Sequence, residues 1–257
     1  VKHVFVSDFD GTLFKNHEVT HYDLNAIETF REQGHKFGIC TGRSIDSILF
    51  EMRKYGIPFD FVIGINGGAV LTHELEEIFA SSMDESLARE MIQTIDDFGI
   101  EFYGVTDGYR LCRVYGNEDA LDEFEPNIEI TELEEIVKAG TSGFYIHTSG
   151  GDKAIALSDR INDLYEHKGI VSFPNVENVD VGVAGVTKAT GIAKIVDHYQ
   201  LEGSVYAVGD SFNDLPMIKA YYGYVMSNGV DAMKKYADTI VESVGDALHH
   251  AMAQNHK

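Results

Sequence analysis

The chain has 257 residues, 44% hydrophobic and 24% charged, with 20 Lys and Arg against 42 Asp and Glu, for a formal net charge of -22. That length and apolar content support one large core or two modest ones and exclude wholesale disorder, and two Cys exclude a disulfide scaffold. The acidic balance repels polyphosphate backbones with no basic patch to offset it, and no apolar run approaches the roughly 20 residues that span a bilayer, so neither nucleic-acid nor membrane partners are expected.

Val1 to Val6 reads as strand-like rather than as a leader, with the buried strand at His3 to Ser7. Tyr22 to Gln33 carries Leu24, Ile27 and Phe30 at helical spacing and closes on Gly34. Lys36 to Cys40 is the next strand. Ser44 is expected to cap a helix bearing Ile45, Ile48, Leu49 and Met52 that stops at Gly56, and Phe61 to Ile65 forms a third strand. This β-α-β-α-β alternation predicts a doubly wound, Rossmann-like parallel sheet with helices on both faces.

After Gly67-Gly68 the rhythm changes to α+β. Short strands fall around Val70 and Ile78, and an acid-capped helix runs from about Asp84 to Phe98. Tyr103 and Tyr109 to Tyr115 pair about the turn signal Asp107-Gly108, and Phe144 to His147 and Ile170 to Phe173 read as further strands. Helices near Glu118, Glu132 and Asp159 separate them. The parallel pattern resumes at Lys188, with a helix over Ala189 to Tyr199, strands at Val205 to Val208 and Tyr224 to Met226, and helices from Asn213 and near Val230 and Asp246. The fold class is therefore α/β, a core of residues 1–82 and 184–257 with an inserted α+β cap domain over 83–183. Cys40 and Cys112 are expected to be buried free thiols in a reducing, cytoplasmic setting.

Ligands of open α/β sheets bind beyond the carboxyl ends of the strands. Here the first strand runs into Asp8-Phe9-Asp10-Gly11-Thr12, the second into Thr41-Gly42-Arg43, the third into Asn66-Gly67-Gly68, and the strand at Val208 into Gly209-Asp210-Ser211-Phe212-Asn213-Asp214. Asp8 and Asp10, two apart on an extended strand end, face one side, so one can attack phosphorus while the other moves protons. Asp210 and Asp214 add carboxylate for a hard cation such as Mg²⁺. Thr41, the adjacent backbone N–H of Gly42, and Lys188 at a helix start suit the remaining phosphate oxygens.

Asp8 to Thr12, Thr41, Lys188 and Gly209 to Asp214, in this order, resemble the four motifs of the haloacid dehalogenase-like hydrolases. The insertion after the second motif, with Asn66-Gly67-Gly68, is similar to the Cof-type subgroup with its C2-type α/β cap. The resemblance implies that Asp8 is the nucleophile and Asp10 the general acid, then base. It implies that Thr41 and Lys188 hold the phosphoryl group with Asn213 nearby, and that Asp8, the Asp10 backbone carbonyl and Asp210 hold Mg²⁺ with Asp214 supporting the metal shell. Phe9 stands where Leu is commoner and Ala189 where Gly is usual, and neither change removes a reacting group. A Mg²⁺-dependent phosphatase acting on a small phosphorylated metabolite is the expected function. A phosphomutase and a non-catalytic phosphate sensor are the alternatives, and a response-regulator domain is disfavoured by the cap and the Asp8–Asp10 spacing.

Within the cap, Arg110, Arg113 and His147 are the candidate substrate contacts. Tyr103, Tyr109, Tyr115 and Tyr145 read as packing, Glu129 to Glu135 as a solvated acidic face, and His249-His250 as a solvated helix end. The motifs leave open whether the ester is a sugar phosphate, a nucleotide or a phosphorylated cofactor, and they carry no signal for oligomeric state.

Overall fold

A computed structural model describes residues 1–100, 102–115, 131–175 and 177–254. The chain divides into two compact units, Val1–Arg43 with Ile48–Phe79 and Thr187–Lys257, and Ser44–Ser47 with Ala80–Val186.

The first unit is built on a sheet of β1 (Val4–Ser7), β2 (Lys36–Cys40), β3 (Phe61–Gly64), β4 (Ala69–Thr72), β5 (Glu77–Ala80), β11 (Val205–Gly209), β12 (Tyr222–Met226) and β13 (Thr239–Val241), numbered along the whole chain. Their order is β13-β12-β11-β1-β2-β3-β4-β5, parallel from β13 to β3, with β4 antiparallel to β3. β1 is buried throughout because both its faces are covered. Val4 and Val6 pack with Ile192 and Ile195 of α6 (Lys188–Tyr199) and Met217 of α7 (Leu215–Ala220). On the other face Phe5 meets Phe30 of α1 (His21–Glu32) together with Phe37, Tyr206 and Tyr224. Burying one such side chain contributes about 1.5–3 kcal/mol, so alternation along four residues fixes which helices lie on which side. Since β2 follows β1 on one side and β11 flanks it on the other, the loops after these three strands converge at the sheet's switch point.

The second unit is an antiparallel sheet ordered β7-β6-β8-β10-β9, comprising β6 (Phe102–Thr106), β7 (Leu111–Tyr115), β8 (Gly143–His147), β9 (Ile170–Asn175) and β10 (Asn178–Val183). Alternate residues Tyr103, Val105, Phe144, Ile146, Val179 and Val181 join one core with α3 (Glu85–Asp97), α4 (Leu133–Ala139) and α5 (Gly151–Tyr165). Asp84 caps α3 by accepting from Leu87 N–H.

Several elements differ from the sequence reading. Ser44 does not cap α2 (Ile45–Tyr55): its Oγ is buried without a hydrogen-bond partner among the described residues, and the N–H groups of Ile45 and Asp46 donate instead to the carbonyls of Gly108 and Tyr109, at 3.0 Å each. Strands β10 and β13 were not anticipated, although Val179, Val181 and Val183 alternate as a half-buried strand should. The helix read near Glu118 lies outside the described residues. His250, read as solvated, accepts or donates at Nδ1 to the Tyr224 hydroxyl at 3.0 Å from the helix Val244–Gln254, while His249 packs on Tyr22. Cys40 and Cys112 are both free and buried. Among the described residues, no helix is long and apolar enough to cross a membrane.

Candidate active site

At the end of β1 the Asp8 N–H donates to Val208 O at 2.9 Å, locking the residue against β11. Its side chain is 7% exposed and faces Lys188, whose Nζ lies 2.6 Å from Asp8 Oδ1 and 2.5 Å from Asp214 Oδ1. Lys188 is the first residue of α6 and fully buried, and its position is set by the Thr187–Thr190 capping box. The second oxygen of Asp214 accepts the N–H groups of Asp210 and Ser211, at 2.9 and 3.0 Å, so this buried carboxylate braces the loop after β11. Thr12 donates to Asp210 Oδ1 at 2.8 Å, linking that loop to the one after β1. One ligand oxygen from each of Asp8, Asp210 and Asp214 lies within 4.8 Å of the others.

Two carboxylates share one ammonium with a third beside them, and the electrostatics follow. Burial, then the Asp214 charge, push the Asp8 carboxyl well above the carboxylate range against the pull of Lys188. Burial likewise raises Asp210, offset in part by the Thr12 hydroxyl. For Lys188 burial acts to lower the pKa, but Asp214 and Asp8 together outweigh it and hold the ammonium charged. The uncompensated negative charge on a compact set of hard oxygen donors fits a small divalent cation, with Asp8 and Asp210 the carboxylates least occupied by other donors.

Two glycines permit this closeness. A Cβ on Gly11, whose φ is +83°, would stand 2.6 Å from Asp210 Oδ2, and one on Gly67, at φ +108°, would stand 2.2 Å from Thr187 O just ahead of Lys188.

Thr41 is buried; its N–H donates to Ile63 O and its carbonyl accepts from Asn66 N–H, at 2.9 Å each, so the loops after β2 and β3 are laced together. Asn66 takes a left-handed conformation (φ 51°, ψ 33°), its side chain faces Gly42, and its Oδ1 accepts from Asn213 Nδ2 at 3.1 Å. Thr41, Gly42 and Asn213 are thereby joined through Asn66.

The Asp10 carboxylate is not one of the three. β1 ends at Ser7, and the Thr12 and Phe14 N–H groups both fold back to Phe9 O, so strand alternation no longer applies at residue 10. Asp10 lies outside the three-carboxylate group and is gripped by Arg43, Nε to Oδ2 and Nη2 to Oδ1 at 2.7 Å each. Only its backbone carbonyl is left to serve as the metal ligand that the motif resemblance names.

Arg110, Arg113 and His147 all belong to the second unit. Arg110 pairs with Asp107 at 2.8 Å and Glu135 at 3.3 Å, His147 Nδ1 lies 3.0 Å from Asn178 Oδ1, and Arg113 sits opposite Gly104. Sequence reasoning did not single out Arg43, Thr12, Asn66 or Asn228, whose Nδ2 donates to Gly11 O at 3.0 Å. The first three stand inside the quoted motifs, whereas Asn228 has no local signal.

A parallel α/β sheet with carboxylate-bearing loops at its switch point and a second α+β unit within the chain defines a class of hydrolase. The family model for haloacid dehalogenase-like hydrolases matches residues 5–251. The chain is 37% identical to the 5-amino-6-(5-phospho-D-ribitylamino)uracil phosphatase YcsE of Bacillus subtilis over 95% of this chain and 93% of that protein. It is 24% identical to the phosphatase of the same description, YwtE, over 92% and 91% respectively. Among solved structures, a HAD/COF-like hydrolase from Plasmodium vivax superposes with a TM-score of 0.83 at 21% identity, over 98% of this chain and 95% of that one. The chain belongs to the haloacid dehalogenase-like hydrolases.

Proposed function

We propose that the chain is a Mg²⁺-dependent phosphomonoesterase that hydrolyses a small phosphate monoester through an aspartyl phosphate on Asp8. The observation that carries this reading is the buried Asp8 carboxylate, held by Lys188 at 2.6 Å within a group of three carboxylates. An Asp8 oxygen forms a bond to phosphorus as the ester P–O bond breaks, and the leaving oxygen takes a proton from Asp10. Asp10, now a carboxylate, accepts a proton from water as the water oxygen bonds to phosphorus. The Asp8–phosphorus bond then breaks, releasing phosphate and restoring both residues. Lys188 aims Asp8 and draws it toward its ionised form, while Thr41, the Gly42 N–H and Asn213 orient the phosphoryl oxygens. Asp8, Asp210 and the Asp10 carbonyl would hold Mg²⁺, with Asp214 bracing the loop, and the ion would supply positive charge that lets an anionic nucleophile approach an anionic ester.

Phosphorylated sugars, polyols and cofactors are the substrate class, and the relatives make 5-amino-6-(5-phospho-D-ribitylamino)uracil the first compound to assay. The buried free thiols fit a reducing cytoplasm. Phosphate release from a panel of phosphorylated metabolites tests the reading. Activity should disappear on chelation, return with Mg²⁺, and fall to background in Asp8→Asn with the fold intact by circular dichroism. Full turnover by Asp8→Asn would remove the covalent mechanism.

A further inference from the structure

Asp10 is the proposed proton donor, yet its side chain is 50% exposed, and an exposed carboxylate samples several orientations. Arg43 removes that freedom. Its guanidinium meets Asp10 edge to edge, both carboxylate oxygens accepting at 2.7 Å, a fork that fixes the plane of the carboxylate as well as its position. Arg43 is itself held on several sides. Its N–H donates to Thr41 Oγ1 at 3.2 Å, its carbonyl accepts from Ile65 N–H at 3.0 Å, its guanidinium carbon lies 5.3 Å from the Phe9 ring centroid, and Nη1 is 3.9 Å from Glu51 Oε1. An isolated surface ion pair contributes little, but a bidentate pair anchored at the backbone sets geometry. The guanidinium side chain is only 20% exposed and springs from the same three-residue loop that carries Thr41 and Gly42.

We infer that Arg43 is a positioning residue for proton transfer, orienting Asp10 toward the leaving oxygen and later toward the hydrolytic water. This rests on the assignment of Asp10 as acid and base above. The role acts on proton transfer, first to the leaving group, and not on phosphate binding. An alkyl phosphate needs its departing oxygen protonated, whereas p-nitrophenolate departs as a stable anion, so misplacing the acid penalises the first far more.

The test measures kcat and KM of wild type, Arg43→Met, Arg43→Lys, Asp10→Asn and the Arg43→Met/Asp10→Asn double variant on an alkyl phosphate and on p-nitrophenyl phosphate with Mg²⁺. In kcat/KM, which reports the steps through aspartyl-phosphate formation, Arg43→Met should lose at least about tenfold more on the alkyl ester than on the aryl ester, within the range of roughly 10²–10⁴ that acid–base catalysis supplies. Arg43→Lys, which retains a charge without the fork, should fall between, and the double variant should be no slower on the alkyl ester than Asp10→Asn alone. A rise in KM on both esters at constant kcat would make Arg43 a substrate ligand and overturn the inference, as would multiplicative losses in the double variant. Equal losses on the two esters for Arg43→Met beside unequal losses for Asp10→Asn overturn the role of Arg43. Equal losses for both variants overturn the assignment of Asp10 and the role of Arg43 with it.

Discussion

Lys188 has no route to water, and its ammonium is satisfied by two carboxylates that are themselves buried, Asp8 and Asp214. Such an ion pair offsets its own desolvation only while all partners are present; removing one leaves charge stranded in a low dielectric, at a cost of about 3–5 kcal/mol. Lys188→Met should therefore lower the unfolding free energy by that amount in urea titrations, besides abolishing turnover. The companion variant separates electrostatics from packing. Adding Asp214→Asn removes one of the stranded charges, so the double variant should be more stable than Lys188→Met alone, a non-additivity that loss of side-chain volume does not produce. Additive destabilisation would mean that the lysine stem, not its charge, holds this site. That Lys188 meets Asp8 was inferable only from motif order, because a single lysine at a helix start has no local distinction from a surface one.

At the scale of elements, Asp60 joins α1, β2 and β3. Sitting just ahead of β3, it accepts from the Phe37 N–H at 3.0 Å, Arg31 Nε at 2.8 Å and Lys36 Nζ at 3.1 Å. Burial alone would raise its carboxyl, but Arg31, the Phe37 N–H and Lys36 together hold it below the ordinary value. A carboxyl depressed by folding stabilises above its unfolded pKa of about 3.9 and loses that contribution as pH falls through the lower folded value. Asp60→Asn should cost about 1.5–3 kcal/mol near neutral pH, and the gap from wild type should narrow only below about pH 4, measured by denaturant titration at several pH values. A gap independent of pH would assign the loss to hydrogen-bond geometry instead of charge. Elements of this kind mark how far the sequence could be read. Apolar runs ending in oxygen-rich loops exposed β1, β2, β3 and β11 and, with them, Asp8, Thr41, Asp210 and Asp214, because each signal is contained in a few adjacent residues. The Arg43–Asp10 fork, the Asn66–Asn213 link and the displaced cap of α2 join segments tens to more than a hundred residues apart in the chain, and no local pattern encodes which partner a polar side chain will find. β13, three residues long, is too short for its period to register.

For the whole molecule the governing quantity is charge. Of the net -22, residues 83–183 carry -15 and the remainder -7. Any phosphate ester is an anion approaching an anionic protein, and under the proposed function attraction begins only within reach of Lys188 and the proposed Mg²⁺. The two effects have different ranges. Long-range repulsion extends about 30 Å at about 10 mM ionic strength and about 8 Å at about 150 mM, whereas contacts inside a buried site are screened far less. With Mg²⁺ saturating, raising KCl across that interval should increase kcat/KM for a small dianionic ester by about twofold or more. kcat should stay constant, because the chemical steps follow the encounter. An oligonucleotide bearing a terminal phosphate brings further charges into the same field, so it should be much the poorer substrate at low salt and should gain more steeply as salt rises. If kcat/KM instead falls with salt, local attraction governs approach and the acidic surface does not select for small substrates; the same conclusion follows if oligonucleotide termini outperform small esters.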